Sequence, residues 1–366
     1  MRIGLWHVRW LAPLAIVAIV VVLVARTVTG CNVGVLDRAS RPNIILVVVD
    51  DLDMPLYESL PRLPGIGAEG TVFSKAYVTT PLCCPSRVSI LRGQYAHNHG
   101  VVSNDPPAGG YAGARDLGVE SCTVATWLQD AGYHTGLIGK YLVGYGWRDG
   151  GGQRVPPGWD TWQARVSGEY LDVTISHNGR RETLVGYETD RLTERALEFM
   201  ELAPEPYFLH VAPYAPHEPS IPAERHAHVA DPRAASMLSV EDMVVRIRDA
   251  DPEAILIFTS DNGYHLEPEP GKGLPQESDL AVPLFILGIG DRTDERYALN
   301  IDLAPTIADM AGVTPPAFFV DGRSLIKHDW DRTTFIAELG NADGSWRWKA
   351  EWGDRQEVEW FTPPPE

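Results

Sequence analysis

Asn43-Ile44-Ile45-Leu46-Val47-Val48-Val49-Asp50-Asp51 joins an unbroken aliphatic run to a pair of carboxylates. A strand with one wet face alternates apolar and polar residues. A continuous run bounded by polar groups fits a parallel strand buried on both faces. A second run, Ile255 to Ser260, ends in the same manner, in Asp261-Asn262-Gly263. Helix-like and strand-like pieces alternate between the two. Thr123 to Ala131 reads as a helix stopped by Gly132, with a strand near Thr135 to Ile138. Thr193 to Leu202 reads as a helix before a strand from Tyr207 to Val211. Ser239 to Ala250 reads as a helix, with Ser239 and Asp242 at capping-box spacing. This pattern predicts an α/β fold with a mostly parallel central sheet sandwiched by helices. Gly150 to Gly158 and Ala215 to Asp231 read as irregular loops, and the Trp-rich tail after Leu325 as an antiparallel hairpin.

The 366 residues suffice for one large α/β domain or two average ones. A hydrophobic share of 44% with 22% charged residues excludes a disordered or collagenous chain. The net charge of −18 argues against general affinity for nucleic acid, which needs a basic footprint. A small anionic substrate remains compatible, because a few buried cations set the field inside a pocket. Four cysteines are too few for a disulfide scaffold, and Cys84 and Cys122 read as small buried apolar residues.

The N-terminus reads as a targeting segment over residues 1–33. Arg2, His7 and Arg9 precede an uncharged apolar run from Trp10 to Ala25. That polarity places the N-terminus in the cytoplasm and the body outside, membrane-anchored or secreted. Val28-Thr29-Gly30-Cys31 resembles a lipobox, so a lipoprotein signal, an uncleaved anchor and a cleaved signal all stay open.

In open parallel sheets, ligands sit beyond the carboxyl ends of the strands. Asp50, Asp51 and Asp261, with the Asn262 amide, end two such strands. Three carboxylates gathered there repel one another unless a hard divalent cation with oxygen ligands relieves them. Ca²⁺ fits, with Mg²⁺ as the alternative, better than zinc. The competing reading makes each Asp a helix cap or turn residue.

The stretch Pro81-Leu82-Cys83-Cys84-Pro85-Ser86-Arg87, continuing through Leu91-Arg92-Gly93, is the second informative one. Cys83-x-Pro85-Ser86-Arg87 resembles the signature of the formylglycine-dependent sulfatases, within the alkaline phosphatase superfamily. Pro85 suits the first turn of a helix, whose N-terminus attracts anions, and Arg87 lies in that turn. The resemblance extends from about Arg41 to Leu325. Gly139-Lys140-Tyr141, Ala212-Pro213-Tyr214-Ala215-Pro216-His217, Asp261-Asn262-Gly263-Tyr264-His265-Leu266 and Gly271-Lys272 are similar to further family motifs. So are Asn300 to Thr306 and Asp321 to Leu325. Cys83-Cys84 with Tyr95-Ala96-His97-Asn98-His99 is similar to the N-acetylglucosamine-6-sulfatase branch.

The resemblance implies a sulfuric ester hydrolase acting on a sulfated small molecule or sulfated glycan. It implies a catalytic domain over 41–325 and an abbreviated antiparallel C-terminal subdomain over 326–366. Cys83 is converted to formylglycine by a formylglycine-generating enzyme and supplies the nucleophile. Asp50, Asp51, Asp261 and Asn262, with the modified Cys83, hold the metal. Arg87 stabilises the formylglycine hydrate, Lys140 and Lys272 bind the sulfuryl group, and His217 protonates the leaving alcohol. His97 and His99 read as structural hydrogen-bonders, and His265 as either. Leu142 and Val143 stand where many relatives carry His or Asn, which implies a missing polar group. The chain between Tyr264 and Lys272 and that between His226 and Ser239 are short for the family, implying a more open pocket. Two other functions stay open: phosphate or phosphonate ester hydrolysis, and non-catalytic binding of sulfated glycans by a membrane-tethered relative.

Overall fold

The computed structural model describes residues 34–35, 41–147, 152–316 and 319–362. The expectations for the N-terminal run and for Cys31 lie outside the described residues. In chain order the strands are β1 (Gly34–Val35), β2 (Ile44–Val49), β3 (Thr71–Tyr77), β4 (His134–Gly139) and β5 (Thr161–Ser167). They continue with β6 (Leu171–His177), β7 (Arg180–Tyr187), β8 (Tyr207–Ala212), β9 (Ile255–Ser260) and β10 (Leu284–Leu287). The last are β11 (Arg292–Leu299), β12 (Val313–Thr314), β13 (Thr334–Gly340), β14 (Trp346–Gly353) and β15 (Glu357–Trp360).

The main sheet has ten strands in the order β11-β3-β10-β9-β2-β8-β4-β5-β6-β7. From β9 through β5 the neighbours are parallel. β2 lies between β8 and β9, and its alternate residues enter opposite cores. Ile44, Leu46 and Val48 face one, and Ile45, Val47 and Val49 the other. Burial on both faces is why the run is apolar without interruption, and each such side chain contributes about 1.5–3 kcal/mol. Val49 pairs with Ser260, so Asp50 and Asp261 leave the sheet side by side.

The helix Val124–Asp130 starts at Thr123, whose side chain and that of Thr126 each accept the other's backbone N–H. Two helices begin earlier than their apolar pattern indicates. One runs Glu188–Leu202. The other runs Pro232–Ala250 behind an Asp231 N-cap. Ser239 is therefore a buried mid-helix residue and not a cap, while Asp242 pairs with Arg62 and Arg225. The antiparallel strands β6 and β7 were not anticipated. The C-terminal hairpin is a three-stranded antiparallel sheet, β13-β14-β15. Cys122 is held in a disulfide, which corrects its reading as a plain apolar residue. Among the described residues, no helix is long and apolar enough to cross a membrane.

Candidate active site

Parallel strand order delivers the acidic residues to one edge. Asp50 is fully buried, and its backbone N–H donates to Ala215 O at 3.3 Å. Asp51 adopts a left-handed conformation, φ 70°, which costs energy for a residue with a Cβ and is typical of functional turns. Asp261 Oδ1 accepts the Asp51 N–H at 3.3 Å, and Asn262 Nδ2 donates to Asp51 Oδ1 at 2.6 Å. Arg233, unforeseen from sequence, braces the turn by donating to Asp51 O at 2.6 Å and Asp53 Oδ2 at 2.7 Å. Asp53 is the N-cap of the helix Met54–Ser59 and takes no part in the acidic cluster.

The helix Cys83–Arg92 is buried along its whole length and presents Cys83 at its N-terminus. Cys83 Sγ lies 3.5 Å from Asp50 Oδ1 and 2.8 Å from Lys272 Nζ. Arg87 is the fifth helical residue, one step beyond the first turn, and its Nε donates to Asp261 Oδ2 at 2.8 Å. Its Nη2 lies 4.0 Å from Asp50 Oδ2. Lys140 follows β4, anchored by its N–H on Ala212 O at 2.7 Å, and its ammonium pairs with Asp50. Lys272 pairs with Asp51. His217 stacks on Tyr214 at 4.5 Å, donates from Nδ1 to Glu218 O at 2.7 Å, and places Nε2 3.7 Å from Asp51 Oδ2. All the catalytic and metal-binding candidates named from sequence thus meet in one place.

The charges balance within the cluster. Burial alone raises the Asp50 carboxyl, but Lys140, His217, Arg87 and Lys272 outweigh it and hold it well below the usual range. At Asp261 burial wins, so that carboxyl is raised despite Arg87. Burial depresses Lys272, yet the carboxylates of Asp51, Asp50 and Asp261 carry it well above its ordinary value. The Cys83 thiol is pushed up to about 12 by burial, against the pull of Lys140 and Lys272. An unmodified Cys83 is therefore a protonated thiol and a poor nucleophile.

The residues fit a divalent cation. Asp50, Asp51 and Asp261 each offer a carboxylate oxygen, all within 4.8 Å of one another. Asn262 Oδ1 is buried with no hydrogen-bond partner, and an oxygen-seeking ion would satisfy it. The donors are predominantly oxygens, the chemistry of Ca²⁺ or Mg²⁺.

Beside the cluster opens a cavity of about 600 Å³. Its lining joins Cys83, Lys140, His217 and Lys272 to Leu142, Val143, Trp147 and Arg165. The apolar pair Leu142 and Val143 thus does face the pocket. Asn104 reaches it too, with Oδ1 held by the Cys84 N–H at 2.8 Å. Arg165 lies 3.6 Å over the Tyr214 ring and 3.7 Å from Glu188. Neither Asn104 nor Arg165 was singled out from sequence: Asn104 sits in a turn-like Asn-Asp-Pro-Pro stretch, and Arg165 in an alternating strand. His265 is a brace. Its backbone exchanges hydrogen bonds with Gly271, and its Nδ1 meets Asp279 Oδ1 at 2.7 Å, fixing the turn that delivers Lys272. His97 bonds to Glu338 and His99 to Ser89, both structural as expected.

The family model described as sulfatase matches residues 42–313. The chain belongs to the sulfatase family. It is 33% identical over 355 residues to a putative extracellular sulfatase Sulf-1 homolog of Caenorhabditis elegans, covering 79% of this chain and 49% of that protein. It is 32% identical over 359 residues to the N-acetylglucosamine-6-sulfatase of Homo sapiens, covering 80% of this chain and 65% of the relative. The chain thus spans between about half and two thirds of these two sulfatases. A solved complex with the substrate D-glucosamine-2-N,6-O-disulfate has the same fold, with a TM-score of 0.76 at 21% identity over 89% of this chain and 90% of that one. The phosphonate monoester hydrolase of Agrobacterium radiobacter shares it at a TM-score of 0.66 and 17% identity, over 87% of each chain. The sulfatase-like α/β fold expected from the motifs is the fold observed.

Proposed function

We propose that this sulfatase-family chain hydrolyses sulfate monoesters of sugars with a nucleophile derived from Cys83. The observation that carries the reading is the convergence on Cys83 Sγ of Lys272 at 2.8 Å and Asp50 at 3.5 Å, with Lys140 paired to Asp50 and Arg87 to the neighbouring Asp261. Formylglycine at position 83, hydrated by water, would supply two geminal hydroxyls: one to displace the alcohol from sulfur, the other to lose its proton as sulfate leaves and the aldehyde returns. A divalent cation held by Asp50, Asp51, Asp261 and Asn262 supplies Lewis-acid polarisation, with Ca²⁺ preferred and Mg²⁺ the alternative.

The remaining work falls to side chains. Lys140 and Lys272 bind the sulfuryl oxygens and stabilise charge that grows in the transition state. Arg87 is held by Asp261 and orients the group at position 83. His217 lines the cavity with its Nδ1 proton engaged by Glu218 O, and as the imidazolium it would deliver its Nε2 proton to the departing alcohol. Leu142 and Val143 exclude water from their side of the pocket.

Sulfated sugars are supported as substrates by the sugar sulfatases among the relatives, and an extracytoplasmic location by those named extracellular. We extend the reading to a targeting segment over 1–33, a catalytic domain over 41–325, a C-terminal subdomain over 326–366, and maturation by a formylglycine-generating enzyme. The test pairs the mass of the Cys83 peptide from the native host with hydrolysis of matched aryl sulfate and aryl phosphate esters, with and without chelator. Formylglycine at 83 and chelator-sensitive sulfate release are expected. A faster phosphate ester would move the chain to the other hydrolases of its superfamily. An unmodified thiol with no turnover of either ester would leave a glycan-binding relative.

A further inference from the structure

The catalytic cavity, about 600 Å³, is larger than a sulfate group needs, and its lining adds apolar and aromatic side chains to the charged cluster. Of the large apolar side chains left exposed among the described residues, Trp147 alone lines this cavity, and it is 70% exposed. Exposure alone is ordinary for a single apolar side chain, but an indole held beside a binding cavity presents an aromatic face to whatever enters it. Its ring is not free to turn. The indole N–H donates to Val166 O at 3.0 Å, and the Trp147 backbone N–H donates to Gly144 O at 3.1 Å. The preceding Gly146, φ 81°, is seated against β5 so closely that a Cβ would fall 2.6 Å from Val166 Cγ1. The indole N–H is spent on this anchor, so what Trp147 offers a ligand is an aromatic face.

The polar groups around it narrow the ligand. Among the described residues that line the cavity, Arg165 is the cation besides Lys140, Lys272 and His217, and its guanidinium meets the Tyr214 ring and Gly168 O. Glu169 stands exposed at the rim, and Ser167 beside it offers a hydroxyl. A fixed aromatic face flanked by an acceptor carboxylate and a hydroxyl matches a pyranose, with its C–H face on the ring and its hydroxyls at the edge. A carboxylate or second sulfate on that ring would meet Glu169.

We propose that Trp147 is the platform for the sugar ring of the leaving alcohol, and that Glu169 makes this subsite select an uncharged pyranose. The proposal rests on the sulfate-ester reading above and names the part of the substrate that reading leaves open. Trp147 acts as a specificity-determining residue, not a catalytic one.

The test is a calorimetric titration of the full chain carrying Cys83→Ala, which binds without turnover. The ligands are inorganic sulfate, N-acetylglucosamine 6-sulfate and a sulfated uronic acid. Trp147→Ala is expected to weaken the neutral sugar sulfate by about ten-fold, the scale of one lost aromatic contact, and inorganic sulfate by a much smaller factor. Trp147→Phe restores most of the difference. The uronic acid is expected to bind more weakly than the neutral sugar, with Glu169→Gln narrowing that gap. Equal losses for inorganic sulfate and sugar sulfate, or none for either, would overturn the platform with the function intact. Failure of all sulfates to bind the parent variant would instead overturn the function, and the platform with it. Unchanged melting temperatures confirm that these surface variants fold.

Discussion

At the scale of single residues, buried charge sets both chemistry and stability. Glu188 is wholly buried behind Tyr214, whose N–H donates to Oε2 at 3.1 Å. Burial pushes this carboxyl from its usual 4.5 up to about 7, and Arg165 and the Tyr214 N–H recover only part of the shift. Its folded pKa therefore exceeds its unfolded one. Between pH 4.5 and 7 the folded state keeps a proton the unfolded state has lost, so the contribution of Glu188 to stability falls as pH rises through that window. Glu188→Gln keeps the acceptor for Tyr214 but cannot ionise. Its stability relative to the parent should rise from pH 5 to pH 8 by on the order of 3 kcal/mol, read from thermal melts. Parallel pH curves for the two proteins would exclude this. Asp261→Asn acts on the cluster itself, removing an anionic oxygen and leaving Arg87 without its 2.8 Å partner. Calcium titration of this variant should show affinity lowered by more than the roughly 10–100-fold that outer-shell partners command. Undiminished calcium affinity would remove Asp261 from the metal site.

At the scale of elements, the site depends on how closely strand ends approach. Gly139 ends β4 with φ 113°, and a Cβ there would fall 2.1 Å from Ala212 O on β8. Gly139→Ala must part the two strands at the point where the Lys140 N–H holds Ala212 O. The variant should melt lower and lose turnover out of proportion to its remaining folded fraction; normal turnover in the folded protein would show that Lys140 tolerates the shift. The strand ends were also the legible part of the sequence. β2 and β9 are buried on both faces, so burial wrote itself as continuous apolar runs, and the acidic residues after them followed the parallel geometry. β6 and β7 left no such signal, because they lie at the sheet edge and mix buried with exposed residues. The early start of Pro232–Ala250 was written in Asp231-Pro232, a cap and an N1 proline, but Ser239 imitated a cap further on. Asn104, Arg165 and Arg233 were illegible for a different reason. Each acts through a neighbour distant in sequence: Cys84, Tyr214 and Asp51.

At the scale of the whole molecule, the C-terminal sheet supports the catalytic face. Glu338 on β13 is buried, forms an ion pair with Lys349 of β14 at 3.0 Å, and accepts the His97 N–H at 2.8 Å, which ties the small sheet to the chain that follows the Cys83 helix. Trp348 on β14 is fully buried, and its indole N–H donates to Gly273 O at 3.0 Å. Gly273 directly follows Lys272, so this bond fixes one side of the lysine that meets Cys83. On its other side the turn is fixed by the His265–Gly271 pairing. Trp348→Phe removes the donor together with part of the buried ring; the bond lost to Gly273 O alone costs about 1–3 kcal/mol for a buried acceptor, and the void adds to it. If the sheet serves as a buttress, the substitution should lower kcat on an aryl sulfate by more than the loss of folded protein explains, because Lys272 gains freedom just where charge builds up. Trp352→Phe is the matched control for the lost ring: it lies on the same strand, is buried to a similar degree, and pairs in register with Phe335 of β13. It should cost stability while leaving kcat per folded molecule near that of the parent. Equal effects of the two substitutions on kcat would mean that the sheet stabilises the molecule without holding Lys272.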